Sequence, residues 1–220
     1  MTSKRLFCLL PALLFSAIAH AQTEDSQLWL QANAQIGVAD GRRVTLESIG
    51  RFSDNAGGFS HAEIGFLGAM DAAKGLELGL GYRHVQDWNQ HAALANEERI
   101  REQLSYVIGK GFAVRMRLEQ RFNSSGGAIG VRLRPQLRFT QPLGHNWGLF
   151  VTHEDFLNFN TTSWGQLSGY ERMRNAVGAS VPLAHNLKID VGYLNQYRFG
   201  RNGASDTMDH ALTSTLTIAL

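Results

Sequence analysis

Arg115-Met116-Arg117-Leu118-Glu119-Gln120-Arg121 and Arg132-Leu133-Arg134-Pro135-Gln136-Leu137-Arg138 decide how this chain folds. Side chains of a β-strand alternate between two faces, so each stretch puts its charges on one face and its apolar residues on the other. Arg99-Ile100-Arg101 repeats the pattern. The opposite face collects Ile100, Leu104, Val114, Met116, Leu118, Val131, Leu133, Leu137 and Phe139. A soluble sheet hides such a face beneath a second layer. No segment here has the helical periodicity that would supply one.

The alternation extends outward in both directions. Eleven segments carry it: 27–37, 43–52, 59–70, 76–86, 98–108, 112–122, 129–139, 147–158, 170–181, 187–199 and 209–220. Each has about the length of a tilted strand crossing a bilayer. Short turn chemistry at Asp40-Gly41, Lys74-Gly75, Gly109-Lys110-Gly111, 143–146 and 184–186 alternates with longer polar links at 54–58, 87–96, 123–128, 159–169 and 200–208. Short turns on one rim and long loops on the other is the habit of outer-membrane barrels. The expected fold is all-β, a single antiparallel up-and-down transmembrane β-barrel of 10 to 12 strands. Eleven strands would place the two termini on opposite rims, whereas bacterial barrels keep even numbers. Pro135 lacks the amide donor that a mid-strand residue contributes, which predicts a bulge or bend.

Aromatic residues gather near strand ends: Trp29, Phe52, Phe59, Tyr82, Trp88, Tyr106, Phe112, Trp147, Trp164, Tyr170, Tyr197 and Phe199. In a membrane barrel these form interfacial girdles. Leu212, Ser214, Leu216, Ile218 and Leu220 close the chain on an apolar stripe that resembles the terminal strand read by the barrel assembly machinery, although those strands usually end on Phe.

Met1 to Ala21 reads as a secretory signal, with Lys4 and Arg5, an apolar run, and Ala19-His20-Ala21 before a cut after Ala21. The remaining 22–220 form one domain. The only cysteine, Cys8, lies in the signal, so disulfides and thiolate chemistry are excluded from the mature chain. Of 21 basic and 19 acidic residues, removing Lys4 and Arg5 leaves no net charge. The arrangement is more telling. Apart from Lys74, Lys110 and Lys188 the bases are arginines, mostly within strands, and Arg suits planar contacts in confined space. Many of the acids (Asp40, Asp54, Asp71, Asp87, Asp206, Asp209) are expected in turns and loops.

With the apolar face turned to lipid, the lumen receives Arg51, Arg83, Arg99, Arg101, Arg115, Arg117, Arg121, Arg132, Arg134, Arg138, Arg172, Arg174, Lys188 and Arg198, against Glu47, Glu63, Glu77, Glu119, Glu154 and Asp190. Two readings stay open. The arginines pair with acids and with Gln103, Gln136 and Gln196 to plug the barrel, or their surplus makes an anion-preferring pore or a site for an acidic ligand. Outer-membrane lipid, the assembly machinery and small anions are the expected partners. No cofactor, metal or nucleic acid is called for.

Catalytic readings are weaker. His61 and Glu63 share the inward face as a candidate acid and base. Alternation splits His153-Glu154-Asp155, sending His153 and Asp155 outward. With a loop serine such as Ser163 or Ser168 that pair would suit a lipid hydrolase or acyltransferase, though no spacing supports the serine. Residues 126–130 lead from a loop into a strand, which is no phosphate cradle. A soluble periplasmic barrel binding an acidic or lipid ligand is the remaining alternative.

In succession, Trp29, Leu46-Glu47 with Arg51, Gly81-Tyr82-Arg83, Glu98-Arg99-Ile100, Arg117-Leu118-Glu119-Gln120-Arg121, Arg132-Leu133-Arg134, Glu154-Asp155-Phe156 with Asn158, and Gly192-Tyr193-Leu194-Asn195-Gln196 resemble the bacterial family of domain of unknown function number 2490. The resemblance implies a β-barrel in the outer membrane of a Gram-negative bacterium. It carries no activity, substrate or catalytic residue.

Overall fold

A computed structural model of the chain describes residues 23–220; the segment read from the sequence as a signal, with its expected cleavage point, lies outside the described residues. Eleven long strands follow one another: β1 (Thr23–Ala39), β2 (Arg42–Ser53), β3 (Gly58–Ala73), β4 (Leu76–Asn89), β6 (Glu97–Gly109), β7 (Phe112–Asn123), β8 (Ile129–Gly144), β9 (Trp147–Asn158), β10 (Gly169–Ala184), β11 (Leu187–Arg198) and β12 (Thr207–Ala219). A two-residue strand, β5 (Ala92–Ala93), pairs only with the end of β4. The long strands pair in chain order, and β1 then pairs with β12, so the sheet closes into a barrel.

Neighbours are antiparallel everywhere except at that closure. There β1 and β12 run parallel, from Thr23↔Thr207 to Gln35↔Ala219. The expectation of an antiparallel barrel therefore needs one correction, and its cause is parity. Up-and-down strands alternate in direction, so an odd number brings the first and last together pointing the same way. The eleven segments are all strands, and among the described residues no further long strand makes the count even. The backbone N–H of Leu220 donates to Gln35 O at 2.8 Å, which fastens the chain's end to β1.

Five connections, at 40–41, 74–75, 110–111, 145–146 and 185–186, are two residues long and share a rim with the C-terminus. Lys110 and Gly111, like His145 and Asn146, take positive φ, as tight hairpins of type I′ require. Each of the five hairpins carries a register shift just before its turn, between Gly37 and Ala39, Asp71 and Ala73, Val107 and Gly109, Pro142 and Gly144, and Pro182 and Ala184. Bulges at a barrel rim sharpen local twist, and two of them accommodate prolines. Pro135 behaves differently. Its register with β9 is the same on both sides, so no bulge forms; instead the pairing lapses at Arg134 and Pro135.

The outer face carries the apolar set. Ile64, Leu80, Val151, Val177 and Leu212 are each more than half exposed. Several of its polar residues are paired with one another: His84 and Tyr82 with Glu98, Glu102 with Gln120, His153 with Asn175, and Tyr193 with His210. Most of these lie in the strand halves nearest the longer loops, leaving the short-turn half of the exterior nearly all apolar. Phe52, Phe59 and Trp88 cluster at the long-loop rim, as do Tyr170, Tyr197 and Phe199, while Phe112 packs on Phe139 near the short turns. Trp29 and Trp164 do not join these girdles; both turn toward interior arginines.

Candidate functional site

The inward positions of β2, β3, β4, β6, β7, β8, β9 and β10 hold a continuous network of arginines and carboxylates. Glu63 is its first hub. It receives Arg83, with Arg51 Nη2 at 3.4 Å and Arg99 Nη1 at 3.6 Å. His61 stands between two acids, Nε2 2.7 Å from Glu63 and Nδ1 2.5 Å from Asp87. Arg83 also donates to Glu47 at 2.6 Å, and Arg101 Nη2 reaches the same carboxylate at 2.5 Å.

Glu119 is the second hub. Arg132 donates to it through Nε and Nη2, at 3.0 and 2.6 Å, and Arg134 through Nη1 at 2.8 Å. Arg134 continues to Glu154, 3.0 Å away, which Arg115 approaches at 2.6 Å and Arg174 at 3.7 Å. Toward the long-loop mouth Arg121 forks onto Glu97 at 2.9 and 2.7 Å, and Arg172 pairs with Glu171. Charge-assisted, multiply bonded pairs of this kind can hold ions that burial alone would make costly.

Aromatic rings complete the packing. Phe156 has Arg134 at 4.4 Å, Arg174 at 4.5 Å, Arg132 at 5.3 Å and Arg172 at 5.4 Å from its centroid, and Trp29 takes Arg51 at 3.9 Å. Ring faces attract guanidinium groups, which eases the crowding of like charge. Loop 159–168 folds over the mouth. Gln166 accepts from Arg121 Nη1 at 2.8 Å, Trp164 Nε1 donates to Ala128 O at 2.6 Å, and the Arg121 guanidinium lies 5.0 Å from the Trp164 ring centroid.

All thirteen residues singled out as lining the lumen, Arg83, Arg99, Arg101, Arg115, Arg117, Glu119, Arg121, Arg132, Arg134, Arg138, Glu154, Arg172 and Arg174, point inward. The cationic excess read from the sequence narrows, however. Asp87 and Asp209 belong to strands and face inward rather than lying in loops, Glu97 and Glu171 join the network, and on the basic side only Arg43 is added. Bulging between Tyr170 and Arg172 turns Glu171 out of simple alternation, so period-two reading missed it. Phe150, Phe156 and Trp29 also escaped notice as interior residues, because an aromatic ring on the charged face carries no charge pattern.

Arg117 stands apart. It is buried, and among the described residues it is the one inward-facing base with no carboxylate within 4 Å; Nε and Nη2 both donate to Gln103 Oε1, at 3.1 and 2.8 Å. It faces a cavity of about 780 Å³ that runs along the lumen and meets a second, of about 730 Å³, at the short-turn rim. Gln103, Arg115, Gln136 and Arg138 line both. Ion pairs thus stand along most of the interior, and the larger cavity runs between them from Trp88, Leu94 and Arg198 near the long loops to Gln35 and Arg43 near the short turns.

His153 and Asp155 face outward with 3.3 Å between Nε2 and Oδ1, and Glu154 faces inward. Ser168 bonds Thr161, and neither it nor Ser163 has a contact with His153.

Residues 26–208 match the model of a family described as proteins of unknown function, DUF2490. An uncharacterised protein of Methylorubrum extorquens is 34% identical over 151 residues, 65% of each chain. This chain thus covers just under two thirds of that relative's length.

Proposed function

The chain belongs to the DUF2490 family, proteins of unknown function, and from that premise we propose that it is a non-enzymatic barrel of the outer membrane, plugged by its network of ion pairs and accepting small anions from its short-turn side. The observation that carries the reading is the closed barrel's uncovered apolar exterior. Leu80, Ile64 and Leu212 are 61%, 64% and 66% exposed, and contiguous apolar surface on this scale marks a membrane or partner-binding face. A closed sheet leaves no backbone edge unpaired, which is the condition for strands to stand in hydrocarbon. The outward polar pairs gather toward the long loops, so the short-turn half suits the hydrocarbon and the long-loop half the polar head groups, in keeping with short periplasmic turns.

Fractionation tests the membrane reading. The protein should stay with the outer membrane through a carbonate wash and leave only with detergent; release by carbonate would overturn it in favour of a soluble periplasmic barrel. The plug is tested by planar-bilayer recording, where the purified protein should show little or no stepwise conductance. Large, steady steps would mean that the arginine network leaves an open path.

A further inference from the structure

We propose that the lumen between the arginines of β7 and β8 and the facing wall of β1 and β12 is a binding site for an acidic sugar, a monosaccharide bearing a carboxylate or a phosphate. The inference deepens the proposed anion-accepting lumen and rests on it. Three guanidinium groups project from one wall: Arg115 and Arg117, two residues apart on β7, and Arg138 on β8, where Arg138 pairs in register with Ala113. Arg117 has only an amide for a partner, and Arg115 Nε is buried without an acceptor. An oxyanion is the ligand class that such donors hold in fixed geometry.

The opposite wall has another chemistry. β1 and β12 lie across the ring from β7 and β8, and their inward residues along the cavity are uncharged: Gln31 and Asn33 on β1, Thr213 and Thr215 on β12. Amides and hydroxyls both donate and accept, which matches sugar hydroxyls and gives a bare anion nothing to distinguish. A Cβ on Gly178 would stand 2.6 Å from Phe150 Cζ, so the glycine lets that ring lie flat against Arg138, 4.1 Å from guanidinium to centroid. The cavity of about 780 Å³ that runs along the lumen passes between these two walls, and a space of this order can enclose small ligands. A ligand with its acid toward Arg117 and its hydroxyls toward Thr213 and Thr215 uses both walls at once.

Calorimetry on the full chain in detergent, titrated with glucuronate, glucose 6-phosphate, glucose and inorganic phosphate, tests this. The two acidic sugars should bind, with glucose and inorganic phosphate each at least tenfold weaker. Arg117→Met should weaken both acidic sugars tenfold or more. It removes a base that has no acid partner, so the variant should fold, and unchanged heat-modified migration checks that. Thr213→Val with Thr215→Val should weaken the sugars and leave inorganic phosphate unaffected. No binding of either acidic sugar, inorganic phosphate binding as tightly as the sugars, or an unaltered affinity in Arg117→Met would each overturn the proposal. Because binding is read in detergent and membrane residence by carbonate extraction, either reading can fail without the other.

Discussion

Arg134 Nη1 meets Glu119 Oε1 at 2.8 Å where Glu119 is fully buried. Glu119 also holds Arg132, so it neutralises two guanidinium groups on the neighbouring strand. Replacing it by Ala would leave both without that partner in the interior, a loss on the order of 3–5 kcal/mol. Glu119→Gln, which keeps an accepting oxygen, should cost less. Thermal unfolding in detergent should rank the proteins wild type, Glu119→Gln, Glu119→Ala in falling stability. Equal melting of all three would mean that the pairs contribute nothing net.

Pro135 offers a gain instead of a loss. It faces outward, and pairing toward β9 lapses at Arg134 and Pro135 while the register on either side is continuous. Pro135→Val restores an amide donor beside a strand already in place and adds a residue that favours β-structure. Stability should rise by roughly 1 kcal/mol, read as a higher melting temperature in detergent. Amide exchange at residues 154–156 should slow in the same variant. A fall in stability would indicate that the proline relieves curvature at this point.

Much of this architecture was legible in the residues because period-two alternation does not depend on distant contacts. Arg115 to Arg121 and Arg132 to Arg138 declare their inward face at once, and every lumen arginine except Arg43, at the start of β2, follows from that rule. The exceptions are positions where a local irregularity or a distant neighbour decides. Glu171 follows a bulge, Trp29 looks like a girdle residue until Arg51 and Arg174 are found on its ring, and Asp87 and Asp209 look like loop acids until the strands extend through them. The parallel seam was implicit in the odd strand count.

The loop over the mouth should behave as a fitted cap. Gln166 is buried and donates through Nε2 to Asn160 O at 3.1 Å while accepting from Arg121, so Gln166→Ala loses the loop's internal tie together with its anchor to the lumen. Native-state amide exchange at residues 159–168 should accelerate strongly, with exchange in β8 and β9 nearly unchanged. Trp164→Ala should add to the effect by removing the bond to Ala128 O. If the loop already exchanges freely in the wild type, the cap is not closed in solution.

Trp29 tests whether aromatic faces hold the surplus arginines. Its ring lies 3.9 Å from the Arg51 guanidinium and 4.8 Å from that of Arg174, and Arg51 has only a 3.4 Å contact with Glu63 for its carboxylate partner. Trp29→Leu keeps an apolar side chain at the site but removes the negative ring face, so two cations lose an attraction worth about 0.5–2 kcal/mol each. Trp29→Phe retains a smaller ring and should fall between. Because Trp29 stands on β1 beside Thr213 of β12, disturbance should spread first to the parallel seam, where amide exchange of β1 and β12 should quicken ahead of β6 and β7. Trp29→Leu melting with the wild type would show that the ring only fills space. A loss confined to β6 and β7 would place the weak point of the barrel away from its seam.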